Sequence, residues 1–401
     1  VIGVSAAGPL GAESGAPSRA AAIRRDPAER DAWISLASVP GVGPVTFKAL
    51  VRRFGSAAAA LDAGPKAVLE AVPRGDGDSA TALQAIRRLG FHRVAERLQA
   101  SAAAAGGRVI TALDGSYPAR LARLDVHPPV LYVVGDAACL QASAVAIVGT
   151  RRASGYGRAV ATEIADELAR VGVTIVSGLA IGIDGAAHEA TLDAGGRTAA
   201  VLPSPIDRIY PPRHRNLAAR VVEAGGAVLS EAPPGRVTGK PDFARRNRII
   251  SGLADAVVVV EAPDHSGALL TAAAAIAQGR DLFAVPGPID AIASRGSNRL
   301  IADHLAELVT SPVSLVHRLG MLPVGRSAGI GVADLSETEG LVLAALMKRS
   351  ASIEELLGRT SAGTAQLASA LTLLEARGLV ASYGGVTFHP TLAAKRLWPP
   401  K

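Results

Sequence analysis

Three arginines fall within four positions, Arg245, Arg246 and Arg248, with Asn247 between them and Phe243 just before. A guanidinium is a planar fork of donors that suits phosphate oxygens. Asn247 can orient such a group by hydrogen bonding without adding charge. A second basic cluster precedes it, Arg208, Arg213, Arg215 and Arg220, and Arg236 and Lys240 extend the first. The chemistry offered is anion binding. An equally simple reading of an isolated basic run is a solvated helix face, so its surroundings decide.

What surrounds the run is an alternation of apolar strands and helices. Strands are expected over 144–148, 173–176, 198–202, 227–229, 255–261 and 282–285, each followed by a helical pattern. Strands that are apolar throughout and separated by helices imply a parallel sheet covered on both faces. In such a sheet ligands bind outside the carboxyl ends of the strands. Four strand-end segments have suitable residues. Val148–Gly157 is glycine-rich and carries Arg151, but Val160 stands where a dinucleotide fingerprint would place its last glycine. Val176–Asp184, the arginine run and Asp264–Thr271 are the others. Glycines let backbone amides approach a phosphate, and a following helix N-terminus favours an anion.

No catalyst accompanies them. The sequence has no nucleophile elbow, Walker loop or zinc-protease helix. A single cysteine, Cys139, excludes an internal disulfide and a thiolate metal site. Asp184 and His188 stand four apart. They read as a helix cap and a packed histidine, and no third metal ligand is apparent. Neither metal nor cofactor is expected, and binding fits better than hydrolysis.

The chain carries 42 basic and 35 acidic residues, a net charge of +7. Residues 145–307 hold 17 of each sign, so any polyanion site there must arise from local segregation. With 49% hydrophobic residues the chain is expected to fold. No stretch has the length of a membrane helix, and residues 1–17 do not read as a signal peptide. A reducing cytoplasm is the expected location.

The domain reading is a disordered tail over 1–27, a helical domain over 28–107, a central α/β domain over 108–318, a linker over 319–333 and a last domain over 334–401. Pro40-Gly-Val-Gly43 followed by a helix from Pro44 resembles a helix-hairpin-helix, as in small helical, SAM-like domains. Its amides suit a DNA phosphate, or the hairpin is purely structural; both readings stand. Residues 108–137 read as an extended, turn-rich lead-in with a strand over 130–135. The last domain shows three helices and a hairpin, a winged-helix-like order. Its would-be recognition helix has one base, Arg377, at its end. That favours protein contact or packing over groove reading.

Taken together, the central loops closely resemble the DNA-processing protein A (DprA/Smf) family of recombination mediators. The matching stretches include Val148-Gly-Thr-Arg151 with Ser154-Gly-Tyr-Gly157, Ser177-Gly-Leu-Ala-Ile-Gly-Ile-Asp-Gly-Ala-Ala-His188, and Tyr210-Pro211. They continue with Phe243, Arg246-Asn-Arg-Ile-Ile250, Ser266-Gly-Ala-Leu-Leu-Thr-Ala272, Pro286-Gly287 and Gly296-Ser-Asn298. The resemblance implies an extended Rossmann-type fold that binds single-stranded DNA without sequence preference. It also implies a homodimer, and loading of the RecA recombinase onto incoming DNA in natural transformation. By the same analogy Arg151, Arg197, Lys240, Arg245, Arg246 and Arg248 contact phosphates. The loops at Gly149, with Ser154 beyond it, at Ser177–Gly178 and at Ser266–Gly267 shape the pocket, and Asn247 orients its neighbours. After Leu300-Ile-Ala-Asp303 the chain has His304-Leu-Ala where the family has glycine and alanine.

The competing class is an enzyme, a nucleotide phosphoribohydrolase on a related Rossmann variant. Those proteins use a Pro-Gly-Gly-x-Gly-Thr loop and a nearby glutamate. Here the loop is Ser266–Thr271, and the following Ala272–Ala275 contains no acid.

Overall fold

The computed structural model describes residues 26–70, 77–321, 335–383, 387–391 and 394. Most of the expected tail, residues 1–25, and most of the expected linker lie outside the described residues. The chain divides into two compact units, one running through Glu96 with Leu113–Gly115, the other Arg97–Ala112 with everything from Ser116.

The first unit is helical: α1 (Pro27–Ala37), α2 (Pro44–Phe54), α3 (Ala57–Asp62), α4 (Pro65–Leu69), α5 (Gly77–Leu89) and the start of α6 (Phe91–Ala104). Proline at the first position of α1, α2 and α4 supplies a preset φ where no N–H partner is needed. The turn between α1 and α2 is the expected hairpin, with Gly41 at φ 79°. Glu29 is buried, and its carboxylate accepts the amides of Ala57 and Ala58 at 2.7 and 3.1 Å, which satisfies the exposed end of α3.

The second unit is built on a nine-stranded sheet. In chain order it contains β1 (Gly107–Thr111), α7 (Ala119–Ala122), β2 (Val130–Gly135), β3 (Ala144–Val148), α8 (Gly155–Arg170), β4 (Thr174–Ser177) and α9 (Ile183–Asp193). Then follow β5 (Thr198–Leu202), α10 (Arg215–Glu223), β6 (Ala227–Ser230), α11 (Lys240–Leu253), β7 (Ala256–Val259) and α12 (Gly267–Ala277). It closes with β8 (Asp281–Ala284), α13 (Arg295–Ala302), β9 (Glu307–Leu308) and α14 (Pro312–Arg318). The strand order is β1-β2-β6-β5-β4-β3-β7-β8-β9. Neighbours from β6 to β9 are parallel. In the lead-in, the expected strand over 130–135 is β2, and with β1 it joins one side of the sheet in antiparallel pairing. The order reverses between β3 and β7, so the loops leaving these strands diverge there.

Alternation along each strand divides the core. Val145 and Ile147 of β3 join one cluster with α8 and α9, while Ala144, Ala146 and Val148 join the other with α11 and α12. Both faces are thus dry, and the sheet's carboxyl edge is a rigid base for the loops.

The last elements are α15 (Glu337–Lys348), β10 (Ala351–Ser352), α16 (Ile353–Arg359), α17 (Thr364–Ala376), β11 (Val380–Tyr383) and β12 (Thr387–Pro390). The strands form a small sheet in the order β10-β12-β11, with the three helices packed on it, a winged helix. Arg377 pairs with the buried Glu339 at 3.2 Å.

Candidate nucleic-acid interface

The site lies in the second unit, at the carboxyl ends of β3, β4 and β5, closed on one side by α11. Position is set first by Arg246. It lies on the inner face of α11, only 6% exposed, and enters the sheet edge. Its Nη1 donates to the carbonyl of Gly178 at 2.6 Å and to that of Val201. Its Nε donates to Asn247 Oδ1 at 3.2 Å. The Asn247 amide group in turn donates to the carbonyl of Gly267 at 3.0 Å. One Arg–Asn pair thus ties the ends of β4 and β5 to the start of α12. Burial lowers the Arg246 guanidinium to about 10, a shift opposed by nearby Asp184 and reinforced by Arg151.

Gly178 is required here by close approach. A Cβ on it would stand 2.2 Å from Arg246 Nη1. The loop beyond it folds around Asp184, whose Oδ2 accepts the amides of Gly178 and Ala180 at 3.1 and 3.4 Å. Asp184 is therefore not the helix cap expected from sequence. Gly182, at φ 89°, precedes α9, and Asp184 staples the loop. Its burial pushes the carboxyl above the ordinary range, against the pull of Arg246 and the two amides. Leu179 sits at φ 56°, a left-handed conformation unusual for a side-chain-bearing residue. His214 Nδ1 holds it by donating to the Leu179 carbonyl at 2.8 Å.

His188 stands behind this loop, fully buried. Thr198 Oγ1 donates to the Ile175 carbonyl, so it accepts from His188 Nδ1 at 2.7 Å. The ring is the Nδ1–H tautomer, and Nε2 has no partner among the described residues. Burial, with His214 and Arg246 nearby, pushes its pKa down to about 3. It is a neutral packing histidine, as its sequence context suggested.

In front of Arg246 is a small pocket lined by Arg151, Gly178, Ile181, Tyr210 and Phe243, among others. The Arg151 guanidinium lies 4.9 Å from the centre of the Phe243 ring, a cation–π contact. Phe243 meets Tyr210 edge to face at 5.4 Å. Lys240 and Arg245 are exposed on α11 outside the pocket lining, Arg245 only 3.7 Å from Asp242 and on another face of the helix from Phe243. The result is a cationic rim supplied by the exposed Arg151 over two aromatic rings, with a buried guanidinium at its floor. Phosphate can meet the rim, and an unstacked base can meet the rings.

The sequence-assigned residues separate into groups. Arg151, Gly178 and Arg246 line the pocket, Lys240 and Arg245 are exposed elsewhere on α11, and Asn247 orients Arg246. Arg246 is a correction in kind: its donors engage backbone carbonyls. Arg248 is a clearer correction. Both oxygens of Glu231 accept from its Nη2 at 2.6 Å, so its charge is already matched. Arg197 precedes β5 and is exposed at the amino end of a parallel strand, at the edge opposite the other residues. Ser177 is buried, its hydroxyl donating to the Ile147 carbonyl at 2.6 Å. Ser154 and Ser266 are helix N-caps, accepting the amides of Gly157 and Ala268. Gly149 packs where a Cβ would stand 2.4 Å from Ile183, and Gly267 supplies the carbonyl that Asn247 holds. Sequence reading gave no role to Tyr210 or His214 in the site, although an aromatic residue soon after β5 was a usable signal.

Among the described residues no group of three or more His, Cys, Asp or Glu is arranged to hold a metal. No described helix is long and apolar enough to cross a membrane.

With this geometry in place, comparison with known proteins is direct. The family described as DNA recombination-mediator protein A matches residues 108–320. A putative DNA processing protein DprA of Mycobacterium tuberculosis is 37% identical over 374 residues, 88% of this chain and 92% of that protein. The chain belongs to the DNA recombination-mediator protein A family. The Protein Smf of Escherichia coli is 45% identical over 203 residues, 51% of this chain and 54% of its own length. The X-ray structure of DNA processing protein A from Streptococcus pneumoniae superposes with a TM-score of 0.59 at 29% identity, covering 73% of this chain and 97% of that one. The flanking modules match as well. Residues 27–87 fit a DprA-like N-terminal HHH domain, and residues 331–385 a DprA winged helix domain. In this recombination-mediator family the pocket over Arg246 lies within the region of the central match.

Proposed function

We propose that this protein binds single-stranded DNA in the cleft over Arg246, without sequence preference, and delivers that DNA to a RecA-type recombinase in the cytoplasm during natural transformation. The observation that carries the reading is the exposed Arg151 against Phe243 and Tyr210, with Lys240 and Arg245 exposed on the helix that carries Phe243. A cation beside aromatic rings suits a flexible strand whose bases can turn outward, whereas a duplex keeps its bases stacked inside. Phosphate contacts and stacking on the rings are available to any base, so sequence tolerance is expected.

Binding rather than catalysis is inferred from how the nearby acids are used. Asp184 is held by two amides beside Arg246, and Glu261 by Ser154. Neither is free to act on a glycosidic bond, which disfavours the phosphoribohydrolase reading. Homodimer formation and recombinase contact find support in the uncovered apolar surface of the second unit. Helix α12 carries no charged residue, yet Leu270 and Ile276 are exposed, as are Leu305 and Leu308 near the edge strand β9. A helix apolar on all sides ordinarily has a covering partner.

Reversing Lys240 and Arg245 together to Glu tests the site. Fluorescence anisotropy should show weakening for every single-stranded oligonucleotide alike, by about tenfold or more. The Arg248→Glu variant is the internal contrast, because that side chain is committed to Glu231. Its first effect should be on stability. Unchanged DNA affinity in the double variant would remove α11 from the interface.

A further inference from the structure

One buried carboxylate takes no part in the pocket wall yet lies directly beneath the loop that carries Arg151. Glu261 follows β7 and is 2% exposed. Its Oε1 accepts the Ser154 hydroxyl at 2.5 Å and its Oε2 the Ser154 amide at 2.9 Å. A Cβ on Gly157 would stand 2.3 Å from Oε2, so the carboxylate rests against the first turn of α8. The Glu261 carbonyl accepts the Thr150 amide at 2.7 Å, pinning the same loop a second time. These residues stand between β3 and β7, where the strand order reverses. In open parallel sheets that is where a nucleotide phosphate rests, on the N-terminus of the helix after the first strand. Here a side chain of the protein supplies the anion instead.

We propose that Glu261 is a specificity-determining residue. Its carboxylate occupies the anion position at the N-terminus of α8 and closes it to the phosphates of free mononucleotides and dinucleotides. The same contacts fix the 149–154 loop so that Arg151 faces Phe243 in the neighbouring cleft. A phosphate entering at α8 would meet a like charge at contact distance, with the amide and hydroxyl of Ser154 already taken. The fold keeps the helix terminus of a nucleotide-binding protein but is diverted from free nucleotides. The first half of the inference stands apart from the DNA reading; only the role of the Arg151 loop rests on it.

The test titrates wild type, Glu261→Gln and Glu261→Ala with inorganic phosphate and with ADP by calorimetry, folding being checked by circular dichroism. Wild type should show no ADP binding tighter than a Kd of about 1 mM, and the glutamine variant, which removes the charge but keeps the position filled, should gain less than the alanine variant. The alanine variant opens the position and should bind ADP about tenfold more tightly than wild type. A folded alanine variant with no gain overturns the proposal. So does wild-type ADP binding below about 1 mM that NAD competes and an oligonucleotide does not. That wild-type arm remains decisive if the alanine variant fails to fold, and Glu261→Ser then replaces it. Anisotropy with a single-stranded oligonucleotide, run in parallel, should show weaker binding by the alanine variant as the Arg151 loop loosens. A gain in ADP binding in a protein that binds no oligonucleotide would sustain Glu261 while refuting the DNA reading.

Discussion

At the residue scale, the arginine run is three different residues rather than one patch. Arg245 is exposed, Arg246 is a buried structural cation and Arg248 is an ion-pair partner. Helical geometry separates them: successive positions are turned by about 100° and cannot share a face. Sequence alone showed the density of charge but not this division, which depends on which face of α11 meets the sheet. Replacing Arg246 with Met should leave the Gly178 and Val201 carbonyls without their donor and Asp184 without its neighbouring charge. A loss of about 3 kcal/mol is expected, measured by urea unfolding. A Lys240→Ala change should cost less than about 0.5 kcal/mol while still weakening DNA binding. His188 gives a pH test. Its folded pKa of about 3 lies below the unfolded value, so the unfolded state binds the extra proton first. Its contribution is complete above pH ~6.5 and is lost as pH falls from there toward 3. Asp184, whose pKa is raised, acts in the opposite direction in both proteins. The comparison is therefore with His188→Gln, which should show a shallower fall in stability across that window. Equal slopes would place the unfavourable protonation elsewhere.

At the element scale, the parallel sheet and its helices were legible because unbroken apolar strands admit few other arrangements. The positions of β3 and β5 follow closely from their patterns. Of the lead-in, β2 was legible as a strand, but β1 and the antiparallel pairing at the sheet's side were not, because such short runs carry no sign of the partner. The loops were legible as loops, but their bonding was not. That Asp184 staples a loop instead of capping a helix depends on Gly182 taking φ 89°. The tie between α11 and α12 also carries a prediction. Asn247→Ala should remove the bond to Gly267 and free Arg246 Nε, costing about 1–2 kcal/mol and weakening single-stranded DNA binding. Normal stability and affinity in that variant would show that the tie is not needed. Gly178→Ala should displace the Arg246 guanidinium, since the added methyl has no room, and a crystal structure of the variant would reveal it.

At the scale of the whole molecule, the central unit has equal numbers of opposite charges across residues 145–307, and its binding power comes from where they lie. Acids near the cleft face backbone amides or basic partners, while Arg151, Lys240 and Arg245 face outward. The winged helix repeats this in reverse. Its single base on the would-be recognition helix, Arg377, is paired with buried Glu339, so Arg377→Gln should leave DNA affinity unchanged while lowering stability. A fall in DNA affinity with the fold intact would instead bring that helix into the interface. The most direct test of the central claim is the affinity of the full chain for a labelled single-stranded oligonucleotide across a range of salt concentrations, with a duplex as comparison. Three to four phosphate contacts predict that log affinity falls with log salt at a slope of roughly −2 to −3, with the single strand preferred. A flat salt dependence, or equal binding of the duplex, would contradict it.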